Sequence, residues 1–237
     1  MELIARGRAS DVFDLGAGRV LRRYRTNLDV AREARTMQHL RVHGYPVPQV
    51  FHAHGTDMVI ERIHGRTLFD ELLDHPDQFR RYGRLLGELH ERLHRLPAPA
   101  WLTEGAEGAS VGTERTVIIH RDLHPRNVIV SECGPVVIDW TEASAGRASV
   151  DTAITAIVTL GADLDVESSV AEQIEPFRAL FINAFLQACG ADARDGLQQA
   201  IDYRLGNPNN TPNEMHWLEQ IAPGCLDVFY REQRESS

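Results

Sequence analysis

Two carboxylates and an amide placed around one short hairpin constrain this chain more than any other feature. His120-Arg121-Asp122-Leu123-His124-Pro125-Arg126-Asn127 leads into Val128 to Val130, and Val136 to Ile138 follows before Asp139. Both runs are apolar, β-branched and bounded by polar residues or Gly, so they read as short strands. Gly134-Pro135 marks the turn between them. A hairpin of this length returns Asp139 to the side of Asn127, and Asp122 stands five residues before Asn127 on the loop leading in. Two hard oxygen donors can then share one divalent cation such as Mg²⁺. Beside them is a carboxylate able to orient a hydroxyl and take its proton. These are the groups that phosphoryl transfer from a nucleoside triphosphate requires.

Along the rest of the chain the periodicity changes once. Residues 3–25 read as strands, LIARGRASDVFDL and RVLRRY, separated by Gly16-Ala17-Gly18. Asp29 to Val42 reads as a helix, capped by Asn27 or Asp29, with Ala31, Ala34, Met37, Leu40 and Arg41 at helical spacing. Tyr45-Pro46-Val47-Pro48 ends it, and Val50 to His54 and Met58 to Ile63 are two more short strands. After that the pattern is mainly helical. Phe79 to Leu96 carries Leu85, Leu86, Leu89, Leu93 and Leu96 on one stripe. A loop from Pro97 to Gly112 and a strand at Val117 to Ile119 precede the hairpin. Helices are expected at 150–161, 166–189, 192–205 and 213–233. The expected fold class is α+β in two lobes. Residues 1–63 form a small antiparallel sheet with one helix, and residues 64–237 form a larger, mainly helical lobe.

The length of 237 residues suits one compact domain or two tightly joined lobes. No run of eighteen apolar residues occurs and the N-terminus lacks an apolar signal core, so no membrane partner is expected and the cytoplasm is the default location. Cys133, Cys189 and Cys225 are odd in number and far apart, which excludes a disulfide framework. Charge is uneven. Residues 1–60 carry nine arginines against six acids, whereas the remainder carries sixteen against twenty-eight. A basic first part suits an anionic ligand, and the acidic larger part argues against nucleic acid as a partner. The chain contains no lysine: all 25 basic residues are Arg.

HRDLHPRN followed by Ile138-Asp139-Trp140 resembles the aminoglycoside phosphotransferase and choline kinase-like family, whose fold is protein-kinase-like. The resemblance implies a small-molecule kinase using ATP or GTP and Mg²⁺. Asp122 would be the catalytic base, and Asn127 and Asp139 the metal ligands. It places Gly7-Arg8-Ala9-Ser10-Asp11 at the phosphate-covering loop, with Ser10 offering its hydroxyl and backbone N–H. Glu33 matches the acid that braces the phosphate-binding cation. Met58 to Ile63 becomes the last strand and hinge, where Glu61 and Ile63 meet the adenine, and Asp151 supports the catalytic loop. The family usually places Lys on the third strand. Here Arg22 is the substitute, with Arg23 its rival, and strand alternation lets only one of them point inward. Asp151 comes only twelve positions after Asp139 and no Ala-Pro-Glu follows, which leaves no room for the segment on which protein substrates dock. A small hydroxylated acceptor is therefore expected, and the acidic helical part suits an aminoglycoside, another antibiotic or an amine. Acceptor contacts in the family come from the helical part, here about 160–237, where Asp195, Asp202 and Glu214 are candidates.

Two other readings compete. His90-Glu91-Arg92-Leu93-His94 matches H-E-x-x-H, which on a helix can hold Zn²⁺ with Glu91 activating a water. The longer zinc-protease pattern fails at Pro97 and Ala100, and only Glu104, Glu107 or Glu114 offers a further ligand. In the resembled family a Leu-His pair here packs under the catalytic loop, which makes His90 or His94 a structural hydrogen-bonder. There His120 likewise supports the loop backbone, and His124 lies near metal or acceptor without ligating. The missing lysine motivates a non-catalytic nucleotide-binding protein, against which the intact Asp122, Asn127 and Asp139 speak.

Overall fold

The computed structural model describes residues 1–7, 9–26, 29–103, 115–161, 168–208 and 210–230. In chain order they form β1 (Glu2–Arg6), β2 (Ser10–Gly16), β3 (Arg19–Tyr24), α1 (Ala31–Val42), β4 (Val50–His54), β5 (Asp57–Glu61), β6 (Arg66–Thr67) and α2 (Leu68–Asp74). Next come α3 (Phe79–His94), α4 (Ala100–Thr103), β7 (Thr116–Ile119), β8 (Val128–Ser131), β9 (Gly134–Val137) and β10 (Ser144–Arg147). The last are α5 (Ala148–Gly161), α6 (Ser168–Ala188), α7 (Leu197–Leu205) and α8 (Pro212–Gln220). Packing groups Met1–Leu68 with Arg126–Ala143 as one compact unit, and Phe69–Pro125 with Ser144–Ser237 as the other. The first unit thus takes in the β8–β9 hairpin, which a division at residue 63 assigns to the helical part.

In the first unit β1 to β5 make one antiparallel sheet in the order β1-β2-β3-β5-β4. The β2–β3 reversal needs left-handed backbone at Gly16, Ala17 and Gly18, with φ of 74°, 50° and 69°, which two glycines accept without steric cost. It fixes a register in which Val12 faces Arg22 and Ser10 faces Tyr24. Alternation along β3 then decides between the two arginines. Arg22 lies on the Tyr24 face, its guanidinium carbon 4.7 Å from the Tyr24 ring centre, while Arg23 is exposed and paired with Asp57. The N-cap position of α1 is Val30, which has no side-chain cap; Asp29, one residue ahead, accepts from the Ala31 N–H at 2.9 Å, and the other expected cap, Asn27, lies outside the described residues. Met37 and Leu40 of α1, Met58 of β5 and Trp140 are almost wholly buried, and Tyr45 meets the Trp140 ring edge-on at 5.6 Å. β8 and β9 pair Val128 with Val137, and the Val137 N–H donates to the Pro46 carbonyl at 2.8 Å.

The second unit is helical, with a two-stranded β7–β10 sheet. Ser149 to Ile157 of α5 are buried around the whole circumference of the helix, as expected of a central helix. The leucine stripe of α3 buries Leu86, Leu89 and Leu93. The α3 backbone comes close to α6 because Gly83 and Gly87, one turn apart, present no side chain. A Cβ on Gly87 would lie 2.5 Å from the Phe185 carbonyl oxygen and 2.6 Å from Ala188 Cβ. Two expected helices differ. That of 192–205 begins as a 3-10 turn, Ala193–Gly196, capped by the Asp192 side chain. That of 213–233 stops at Gln220 and gives way to a 3-10 turn at Ala222–Gly224, because Pro223 has no N–H to continue it. Among the described residues no helix is long and apolar enough to cross a membrane, and the three cysteines are free. Gly87→Ala is expected to lower stability. The gain in helix propensity of about 1 kcal/mol is smaller than the ~1–3 kcal/mol of overpacking, and a fall in the urea midpoint at unchanged slope would show it.

Candidate active site

The loop that carries Asp122 leaves β7 at His120, and its backbone is held from below by Asp151 on the first turn of α5. Asp151 Oδ2 accepts from the His120 N–H at 3.1 Å, and Oδ1 from the Arg121 N–H at 2.7 Å. Oδ2 also accepts from His94 Nε2 of α3 at 2.9 Å. Arg121 sits at φ 66°, a left-handed conformation that a non-glycine residue keeps only when its surroundings enforce it. Asp151 has no exposed surface. Burial works against its anion, but the hydrogen bond and charge of His94, the nearby His90 and the Arg121 N–H outweigh it and hold the carboxyl far below the usual range. This confirms in geometry the supporting place expected of Asp151.

Asp122 is half-buried, and its Oδ2 is 3.5 Å from His124 Nε2. Its backbone N–H donates to His120 Nδ1 at 3.3 Å. Burial pushes the carboxyl up, yet the hydrogen bond and charge of His124, with His120 and Arg204, keep it below the usual carboxylate range. An anionic carboxylate is what a proton acceptor needs.

In the first unit one guanidinium joins the expected site residues. Arg22 donates from Nε to Ser10 Oγ at 3.1 Å, from Nη1 to Glu33 Oε1 at 2.9 Å and from Nη2 to Asp139 Oδ1 at 2.7 Å. Burial opposes its charge, but Glu33 and Asp139 raise its pKa well above the ordinary value. Glu33 is buried at 5% exposure. It also accepts from the Tyr24 hydroxyl at 2.7 Å and from the Trp140 N–H at 3.2 Å. Desolvation raises its pKa against the pull of Arg22 and Tyr24. Asp139 has φ 64°, which Asp tolerates better than most residues, and its Oδ1 also accepts from Thr141 Oγ1 at 2.9 Å. Asn127 closes a 3-10 turn before β8, is 8% exposed, and its carbonyl accepts from the Ile138 N–H at 3.0 Å. The hairpin thereby brings Asn127 next to the residue before Asp139. An amide oxygen and a partly exposed carboxylate fit Mg²⁺, which takes one or two protein oxygens and fills its other positions with water and phosphate. Glu61, at the end of β5, accepts from the Gln49 N–H at 3.0 Å and lies 3.4 Å from Arg41; Ile63, two residues on, is half-buried.

The zinc reading loses its ligands. His90 Nδ1 is 2.9 Å from the Leu86 carbonyl and Nε2 3.0 Å from Thr155 Oγ1, while His94 Nε2 is bound to Asp151. Among the described residues no group of three or more His, Cys, Asp or Glu is disposed to hold a metal ion; Glu104, Glu107 and Glu114 lie outside them. His94, on Asp151, takes the structural place expected of His90 or His94, whereas Tyr24, Thr141 and Thr155 are supporting residues that sequence reasoning did not single out. A signal existed for two of them: Tyr24 is two residues from Arg22 on the same strand face, and Thr155 is one helical turn after Asp151.

Residues 1–113 and 100–196 match the APH phosphotransferase enzyme family. The chain belongs to that family. No curated protein matches it. Among solved structures, the gentamicin complex of APH(2")-IIa aligns with TM-score 0.59 and 14% identity over 99% of this chain and 87% of that one. An amicoumacin kinase in complex with AMP-PNP, Ca²⁺ and Ami aligns with TM-score 0.54 and 14% identity, over 97% and 91%. A Plasmodium vivax ethanolamine kinase gives 0.54 and 12%, over 98% and 83%. These likenesses show the fold of the family member described here: α+β, two-lobed and protein-kinase-like, as expected. Asp151→Asn should cost about 3–5 kcal/mol at neutral pH, the usual loss when one partner of a buried pair is removed. Because the carboxyl is depressed in the folded protein, its contribution is full above the usual carboxylate range and fades as the pH falls toward the lowered value. Denaturant titrations should therefore show the gap between the two proteins narrowing in acid.

Proposed function

We propose that this chain transfers the γ-phosphoryl group of ATP, or of GTP, to a hydroxyl of a small molecule. The observation that carries the reading is the Arg22 guanidinium joined at once to Glu33 and Asp139. That is a braced cation beside a candidate metal ligand, in a chain without lysine. In this reading residues 1–63 serve the nucleotide and residues 64–237 the acceptor and its chemistry. Arg22 grips phosphate oxygens while Glu33 keeps its direction, and Ser10 adds a hydroxyl to the same anion. The backbone near Glu61 and Ile63 receives the base. Asn127 and Asp139 hold Mg²⁺, which when bound neutralises charge on the phosphates. Asp122 orients the acceptor hydroxyl and takes its proton, and catalysis is positioning with charge stabilisation.

A small acceptor is favoured by the segment after Asp139. Ser144–Arg147 pairs with β7, and α5 starts at Ala148, so this stretch is spent on regular structure rather than on a long docking segment. The excess of acids beyond residue 60 favours an amine-bearing acceptor such as an aminoglycoside.

Acceptor-dependent ADP release with Mg²⁺, measured across aminoglycosides, other antibiotics, choline, ethanolamine and sugars, tests the reading. Turnover should vanish in Asp139→Ala. Asp122→Asn should lower kcat by roughly 10²–10⁴-fold, the range of general-base contributions, and leave nucleotide binding intact. Comparable turnover in Asp122→Asn would refute the assignment. The pH profile gives a second check. Asp122 acts as the anion and its carboxyl is held low, so the acid limb of kcat should lie below the usual carboxylate range. His124→Ala removes the hydrogen bond and charge that hold the carboxyl down and should move that limb upward.

A further inference from the structure

The H-E-x-x-H stretch has one histidine that the site described so far leaves without a task. His90 has no exposed surface, and Thr155 is 1% exposed. His90 Nε2 lies 3.0 Å from Thr155 Oγ1, and that hydroxyl donates to the Leu123 carbonyl at 2.8 Å. Leu123 follows Asp122 directly and is itself fully buried. On the other side of Asp122, Asp151 holds the N–H groups of His120 and Arg121. The two anchors are built in parallel: His90 and His94 are one turn apart on α3, and Asp151 and Thr155 one turn apart on α5. Asp122 is thus bracketed, by a carboxylate on the amides before it and by a hydroxyl on the carbonyl after it.

What surrounds the Thr155 hydroxyl holds it in place. Burial pushes the His90 ring down to about 4, against the pull of Asp151, so the ring is neutral and carries one proton. A carbonyl oxygen only accepts, so the Leu86 carbonyl at 2.9 Å draws that proton to Nδ1. The Thr155 hydroxyl then has two acceptors in reach, the Leu123 carbonyl at 2.8 Å and His90 Nε2 at 3.0 Å, and the shorter bond goes to the carbonyl. Removing the hydroxyl would take this donor from a buried carbonyl next to Asp122.

We propose that Thr155, backed by His90, is a positioning residue for Asp122: its buried hydroxyl fixes Leu123 and with it the aim of the carboxylate. The effect on rate rests on the phosphotransferase reading; the anchoring of the loop does not. Thr155→Val removes the hydroxyl at nearly constant shape, and Thr155→Ser keeps it. In Thr155→Val, backbone hydrogen exchange should quicken across 120–124. The kcat should fall by about 100-fold, the order expected when a reacting group is misplaced, with the nucleotide KM unchanged. Thr155→Ser should restore both. Unaltered exchange and kcat in Thr155→Val, or failure of Thr155→Ser to do better, would overturn the proposal. A wild-type protein that phosphorylates no acceptor would instead sink the functional reading, and the exchange data would still decide whether Thr155 anchors the loop.

Discussion

A carboxylate with no exposed surface, Asp151, is the interaction on which the second unit depends. Removing a carboxylate from water costs several kcal/mol unless partners replace the lost hydration. Here the partners are two backbone N–H groups and one imidazole. Each does more than satisfy the anion. The N–H groups are those of the residues just before Asp122, and they keep Arg121 in its left-handed conformation. The imidazole ties the last turn of α3 to the first turn of α5. The packing of α3 on α6, set by two glycines, is therefore also part of what holds the Asp122 loop.

The first unit solves a similar problem with the opposite charge at its centre. Glu33 is buried beside Tyr24 and the Trp140 N–H, and Arg22 supplies the only cation among its described partners. A guanidinium donates along several fixed directions, whereas an ammonium is a compact point charge. Arg22 uses this by reaching Ser10, Glu33 and Asp139 from three different nitrogens. In a chain lacking lysine, the arginine at this place does work for which one ammonium has the wrong shape.

Much of this could be read from the sequence because it is local. Gly16-Ala17-Gly18 announces its turn, β3 alternation lets only one of Arg22 and Arg23 point inward, and the hairpin returns the chain from Asn127 toward Asp139, although its turn falls at Glu132-Cys133 and Gly134 and Pro135 are paired within β9. The leucine stripe fixes the buried face of α3. What could not be read depends on partners distant in the chain. β10, with the sequence Ser-Ala-Gly-Arg, has no strand signature, and it is extended because β7 lies alongside, with Gly146 leaving room for the Ile119 side chain. The H-E-x-x-H spacing is the same whether its histidines face a metal or a protein core. Only Thr155 and Asp151, some sixty residues later, distinguish the two. The break at Pro223 was visible as a residue, but the apolar pattern running across it pointed to a continuous helix.

The link between Arg22 and Asp139 has a thermodynamic consequence. It leaves one cation shared by two acids, Glu33 and Asp139, so the cluster by itself carries a small negative charge. In the proposed reaction Mg²⁺ alone would displace that cation from Asp139 and leave an excess of positive charge. A nucleotide alone would bring several negative charges to a single guanidinium. Together they cancel, so each ligand improves the affinity of the other by the same factor, as linkage demands. The ion pair would then act as a coupling element that favours the metal–nucleotide complex as the species bound, over either component by itself.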